Sequence, residues 1–291
     1  MKKFKQILIL MVALTLPTFA KVSVATSLTD FASIANAIGG DRVDAFAIAK
    51  PTANPHSVEV LPSYMTKVAR AQIYVKVGLG LDGWAESIIH GSRNSNIQIV
   101  DASQGIAVLE KPTGKVDASM GDVHPEGNPH YWLDPNNAVL IAGNIEKALL
   151  AVDPDGANYY KQRLEQFTLN AKTQIAALQT RMKPMANQAI FTYHSSWPYF
   201  AQAFGLRIVG KLEPVPGIPP TARHLNELLA IAKSEKVVAL LQEPYFPKEG
   251  GEFLVRNAGI PTRSVAPSCS GPEPDAYWKH FDQIIQSLTS K

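Results

Sequence analysis

Two stretches of this 291-residue chain share a tripeptide, Asn54-Pro55-His56 and Asn128-Pro129-His130, each set among turn-forming residues. Proline fixes its own φ and pushes the preceding residue into an extended conformation, so each tripeptide presents its histidine from a stiff turn. Stiffness suits a metal ligand, whose ring nitrogen must be held about 2.0–2.1 Å from a zinc ion. A third histidine, His194, stands in Tyr193-His194-Ser195-Ser196-Trp197, where a strand pattern hands over to a helical one. Neutral imidazoles favour zinc, copper, nickel or iron, and three of them with one open position is a zinc arrangement. The same set also describes a zinc hydrolase with Glu243 as general base, although no His-Glu-x-x-His helix accompanies it. Proton competition for three free imidazoles predicts that metal binding weakens as pH falls through about 6.5. Of the other histidines, His90, His224 and His280 fall on or near helical patterns in mixed company and read as surface residues.

The elements that must position these residues alternate. Strand patterns over 22–25, 43–48, 73–77 and 97–100 are separated by helical patterns over 28–38, from 57 onward, and over 81–89. That order puts His56 at the start of its helix. Residues 104–129 form a polar, Gly- and Pro-rich loop that ends at His130, and Asp134-Pro135 opens another helix. Asp153 reads as an N-cap with Pro154 at the first helical position, followed by the stripe Tyr160, Leu164, Phe167, Ala171, Ile175, Leu178 and Met182. At 1.5 Å per residue this helix is about 42 Å long, enough to run past two lobes. Alternation then restarts, with strands at 188–193, 207–211, 237–241 and 261–266 and helices at 195–204, 221–233, 249–258 and 275–288. The expected fold is α/β: two lobes, each a mostly parallel four-stranded sheet flanked by helices, joined by one long rigid helix. The expected divisions are a signal peptide over 1–20, an N-terminal lobe over 21–152, the linking helix over 153–184 and a C-terminal lobe over 185–291. Ligands of such sheets bind beyond the C-terminal strand ends, so a crevice between the lobes would gather His56, His130 and His194.

The ends and the composition narrow the class. Lys2, Lys3 and Lys5, the apolar run 7–16 and the small residues Thr18 and Ala20 have the form of a secretory signal, too short to span a bilayer. Its removal takes away three of 28 basic residues and none of the 25 acidic ones, leaving a formally neutral chain. No nucleic-acid or anionic-membrane partner is therefore expected. The single cysteine, Cys269, excludes an internal disulfide framework and does not stand at the cleavage point, so no lipid anchor is expected either. A monomer in the periplasm is the expected state.

The residues resemble a known family, the zinc- and manganese-binding solute receptors of ABC importers (the ZnuA/TroA-like cluster A-I group). The resemblance covers the whole chain after the signal and rests on Asn54-Pro55-His56-Ser57, on Asn128 through Pro135 (NPHYWLDP), on Tyr193-His194 with Tyr199-Phe200, and on Gln242-Glu243-Pro244. It implies a bridged two-lobe fold with little hinge motion, His56, His130 and His194 as metal ligands, and delivery of the ion to a membrane ABC permease without enzymatic turnover. Histidine at the third ligand position implies Zn2+ as the transported ligand ahead of Mn2+. The family's fourth ligand is an aspartate after the last strand, where this chain has Ala266. Water, then Glu243, then Cys269 are the substitutes, and Asp134 or Glu243 is expected to orient an imidazole from behind. The loop around His124 resembles the histidine-bearing loop of zinc-type members, with His124 as an auxiliary or capturing ligand.

Overall fold

A computed structural model of the chain describes residues 20–116 and 121–290; the signal peptide expected over 1–20 lies almost wholly outside the described residues. The first half contains β1 (Val22–Thr26), α1 (Thr29–Gly39), β2 (Val43–Ala47), α2 (Pro62–Val68), β3 (Ile73–Lys76), α3 (Trp84–Ser92), β4 (Gln98–Asp101) and α4 (Ala138–Val152). The helix α5 (Ala157–Met182) follows, and then β5 (Ala189–Thr192), α6 (Pro198–Phe204), β6 (Arg207–Lys211), α7 (Ala222–Glu235), β7 (Ala239–Gln242), α8 (Glu249–Ala258), β8 (Thr262–Ser264) and α9 (Ala276–Thr289). The strands form two four-stranded sheets, ordered β2-β1-β3-β4 and β6-β5-β7-β8, and every pairing is parallel.

Successive strand residues point to opposite faces, and both faces are covered. In the first sheet Val22, Val24, Ile73 and Val75 pack with α1 and α4, while Ala25 and Tyr74 pack with α2 and α3. In the second sheet Ile190 and Leu241 face inward, whereas Phe191 and Leu240 meet Leu228 of α7 and Leu254 of α8. The inward faces of both sheets belong to one continuous core, with Phe31, Ile141, Phe200 and Phe281 among its members. In α5 the residues Tyr160, Phe167, Ala171, Leu178 and Met182 are buried, and Leu164 and Ile175 are partly buried against the same core. At 26 residues it spans about 39 Å.

The two lobes are tied by more than this helix. The segment after β8 lies across α1: Thr29 Oγ1 donates to the Cys269 carbonyl at 2.6 Å, Ser33 Oγ to that of Glu273 at 2.6 Å, and the Cys269 amide to Asp30 Oδ1 at 3.2 Å. His280, expected on the surface, is buried on the inner face of α9 and lies 2.8 Å from the Ala266 carbonyl through Nε2. Its stripe explains this, because Tyr277, Phe281, Ile284 and Leu288 of the same helix are buried with it. His90 is exposed as expected, and His224 is half-buried with Nε2 2.8 Å from the Lys211 carbonyl.

Two helices begin later than their sequence pattern suggests. Residues 57–61 are not helical, and α2 starts at Pro62; Ser195 through Trp197 precede α6, which starts at Pro198. Proline needs no amide partner at the first helical position, and it restrains the residue before it to non-helical backbone. His56 and His194 consequently sit on turns ahead of their helices rather than at the helix termini.

Candidate metal centre

The stretch carrying His130 is pinned from both sides by its own aromatics. Tyr131 is wholly buried and its hydroxyl donates to the Val77 carbonyl at 2.8 Å; Trp132, equally buried, donates from Nε1 to the Pro267 carbonyl at 2.7 Å. One side chain therefore grips the first lobe and the next grips the second, which fixes His130 at the seam between them. His56 follows β2, and its turn is closed by Asn54, whose Oδ1 accepts from the His56 amide at 3.0 Å. His194 comes two residues after β5, at the C-terminal edge of the second sheet.

The structure brings His56, His130 and His194 together: one nitrogen from each lies within 4.8 Å of the others. Among the described residues no other histidine, cysteine or acidic side chain joins such a group. Ring centroids are separated by 5.1 Å (His56 to His130), 5.1 Å (His56 to His194) and 5.5 Å (His130 to His194), close to an equilateral triangle. Three imidazoles on a tetrahedral ion with bonds of about 2.05 Å would place their centroids roughly 5.2 Å apart and their bonding nitrogens roughly 3.3 Å apart. The observed Nε2 to Nε2 separation of His56 and His130 is 3.1 Å.

The backs of two rings are held, and this assigns their tautomers. Nδ1 of His130 lies 3.0 Å from Asn128 Oδ1, an acceptor, so His130 carries its proton on Nδ1 and offers the Nε2 lone pair. Nδ1 of His194 lies 2.6 Å from Glu213 Oε2, which leaves its Nε2 free in the same way. His56 Nε2 must then donate to His130 Nε2 in the metal-free protein, and this proton has to leave before an ion can bind both rings. Burial, with His194 and His124 nearby, holds His56 well below the usual imidazole range; burial, with His56 and His194, does the same to His130. His56 and His130 are thus neutral at neutral pH.

Asn128 does a second job. Its amide nitrogen donates to the Ser195 carbonyl at 2.7 Å and to Glu110 Oε2 at 2.8 Å, so one side chain orients His130 and grips the residue next to His194. Lys211 reinforces this link, donating to Ser195 Oγ at 2.6 Å and to Glu110 Oε1 at 3.2 Å.

The carboxylate behind an imidazole comes from Glu213, not from Asp134 or Glu243. Asp134 Oδ1 accepts from the Asn136 amide at 2.8 Å and caps the turn that precedes α4. Glu243 is wholly buried, receives the Trp197 indole N–H at 3.0 Å, and has its carboxyl raised above the usual range by that burial. Cys269 is buried beneath α1 with its thiol 3.3 Å from the Gly271 carbonyl, and burial pushes that thiol well up. Glu213 has a traceable route to His194. Thr192 pairs with Lys211 across β5 and β6, so the residue two beyond each strand end, His194 and Glu213, face one another. The register between those strands shifts after Ile190, where Gly210 pairs with Phe191 and Val209 is passed over. A Cβ on Gly210 would stand 2.7 Å from Leu228 and 2.8 Å from Phe191, so any larger residue there would press on both side chains.

Glu213→Gln should preserve the size of this partner but replace a charge-assisted bond with a neutral one. Loss of such an outer partner lowers metal affinity about 10- to 100-fold. Competition against a zinc chelator measures it, and an affinity equal to that of the unaltered protein would remove Glu213 from the site.

This chain, with a histidine cluster at the C-terminal strand ends of two linked sheets, is a metal-binding substrate-binding protein of the ABC importers. The chain belongs to the zinc-uptake complex component A periplasmic family, whose sequence profile matches residues 24–291. It is 25% identical over 280 residues to the high-affinity zinc uptake system protein ZnuA of Haemophilus ducreyi, covering 91% of this chain and 90% of that one. It is 26% identical over 317 residues to the manganese ABC transporter substrate-binding lipoprotein PsaA of Streptococcus pneumoniae, covering 99% and 98%. A crystal structure of ZnuA superposes with a TM-score of 0.80 at 24% identity, covering 92% of this chain and 98% of that one. These relatives are named as transport proteins, not enzymes. No helix among the described residues is long and apolar enough to cross a membrane.

Proposed function

We propose that this protein is a periplasmic high-affinity zinc receptor, which captures Zn2+ between its lobes on His56, His130 and His194 and delivers it to a membrane ABC permease. One observation carries the reading: three imidazoles from both lobes converge, and two of them, His130 and His194, have their outer nitrogens held by acceptors and their Nε2 lone pairs turned inward. An all-imidazole set favours the borderline-soft zinc ion over manganese, which prefers carboxylate, carbonyl and water oxygens. The likeness to a zinc-uptake family supports the same choice, although the relatives include one named for manganese. In the hydrolase alternative Glu243 would be the base, but it stands outside the histidine group, and Trp197 holds it through Oε1.

Chelator-buffered titrations with Zn2+ and Mn2+ test the proposal. Zinc should bind one ion per chain and at least about 1000-fold more tightly than manganese, following the stability order of divalent ions on nitrogen ligands. At a free zinc concentration 1000 times the dissociation constant, binding should add about 4 kcal/mol to the unfolding free energy. Equal affinities for the two ions would refute the zinc assignment.

A further inference from the structure

A cavity of about 300 Å3 opens beside the histidine cluster, lined by His130 and His194 and walled by His124. The ring of His124 stacks on that of His56, with centroids 5.2 Å apart and planes at 28°. The charged lining is Glu110, Asp122 and Lys211, and Lys211 is the one cationic side chain there among the described residues. A fixed ammonium beside a site for a divalent cation opposes binding, because like charges repel more strongly in a cleft than in bulk water. Lys211 already acts on the site in this sense. Burial does most to hold His130 below the usual imidazole range, the three neighbouring rings come next, and Lys211 adds to them.

The first lobe sets a carboxylate against that ammonium. Glu110 lies in the loop after β4 with a φ of 49°, in the left-handed region that a residue with a Cβ adopts only when its surroundings hold it there. The hold comes from the residue before it. The Leu109 amide donates to the Tyr199 hydroxyl at 3.0 Å, and the Leu109 carbonyl accepts from the Asn128 amide at 2.8 Å. The carboxylate so presented accepts from Asn128 Nδ2 and Ser195 Oγ at 2.8 Å each, and from Lys211 Nζ at 3.2 Å. Burial pushes the Glu110 carboxyl up, but Lys211, Asn128 and Ser195 together outweigh it and hold that carboxyl below its usual range. Lys211, the last residue of β6, is fixed in turn by donating to Ser195 Oγ at 2.6 Å. The two side chains are 34% and 43% exposed, so dissolved salt reaches the pair.

We propose that Lys211 and Glu110 form a balanced pair that sets how tightly the ion is held, the ammonium opposing a cation in the cavity and the carboxylate offsetting it. This proposal rests on the three-histidine receptor reading and adds what tunes its strength. Glu110 also reaches His130 through Asn128, so its charge and its hydrogen bonds both favour the loaded site. Lys211 works against it. A receptor that hands its ion to a permease is served by a site held short of the tightest binding its ligands allow, and Lys211 supplies that limit.

Chelator-buffered zinc titrations of the full chain test the pair. Glu110→Gln keeps the size of the side chain but leaves Lys211 unopposed, and should weaken zinc binding about tenfold. Lys211→Met leaves Glu110 unopposed and should tighten binding about tenfold; Lys211→Gln, which can still donate to Ser195, should act in the same direction. The double variant Glu110→Gln/Lys211→Met should return to within about threefold of the unaltered protein. All these shifts should shrink between ionic strengths of about 0.01 and 0.15 M. A clasp of purely structural worth would instead lose affinity in every variant, by an amount indifferent to salt. Weaker binding in both Lys211 variants, or shifts that salt leaves unchanged, would overturn the proposal. The two readings fail differently: no zinc binding by the unaltered protein refutes the receptor site, whereas tight binding that ignores both charges refutes only the role of the pair.

Discussion

His130→Ala is expected to weaken zinc binding about 100- to 1000-fold while the metal-free protein stays folded. Binding free energies of about 10–16 kcal/mol at four-ligand zinc sites divide into roughly 2.5–4 kcal/mol per donor. At 1.4 kcal/mol per tenfold this gives the stated loss. The fold should survive because Tyr131 and Trp132 anchor the segment, and because Asn128 Oδ1 still accepts the amide of residue 130 at 3.0 Å. His194→Ala should weaken zinc binding to a similar extent but also lower the stability of the metal-free protein. It leaves Glu213, only 5% exposed, with the Gly217 amide as its remaining partner, and a buried acceptor that loses its donor costs about 1–3 kcal/mol. Chelator competition and urea melts on both variants separate the two effects. Wild-type zinc affinity in either variant would dismantle the ligand assignment.

Two of the three histidines that converge were marked in the sequence by their local backbone chemistry. The Asn-Pro-His turns announce stiff presentation, and the structure shows the asparagines at work: Asn54 closes the turn at His56, while Asn128 holds both the amide and the ring of His130. The long stripe of α5 was readable for a similar reason, since its 3.6-residue period needs no knowledge of what it packs against. Glu213 was not readable. It lies 19 residues from His194 in a proline-rich loop, and only the pairing of β5 with β6 brings the two together. Even a correct pairing without the shift at Gly210 would put the wrong residue opposite His194, so the partner depends on one irregularity in a sheet. His280 failed for another reason: its helix was recognised as amphipathic, but the face it buries is decided by the crossing of α9 over α1, a tertiary choice. The late starts of α2 and α6 were legible in Pro62 and Pro198, had the preference of proline for the first helical position been weighed above the apolar period.

Zinc affinity should stay nearly constant from pH 8 down through 6.5 and then fall steeply at lower pH. Reasoning from free imidazoles places the loss at about 6.5, but burial, helped by the neighbouring imidazoles, holds His56 and His130 well below that value. Protons therefore begin to compete with the ion only under the depressed values of the folded protein. Once they do, as many as three are taken up per ion released, so the dissociation constant can rise by up to about three powers of ten per pH unit. The stability of the metal-free protein should move over a different window. The unfolded chain protonates these histidines near 6.5 and the folded one resists until lower pH, so between those limits the unfolded state binds more protons and acid favours unfolding. Stability should accordingly decline as pH falls below about 6.5 while zinc, if present, still binds, and added zinc should give its largest relative protection there. Chelator competition and thermal melts across pH 5 to 8, with and without metal, measure both curves. A tenfold loss of affinity between pH 7.5 and 6.5 would mean that the imidazoles titrate as exposed groups do, which is incompatible with the buried, mutually facing arrangement of His56 and His130.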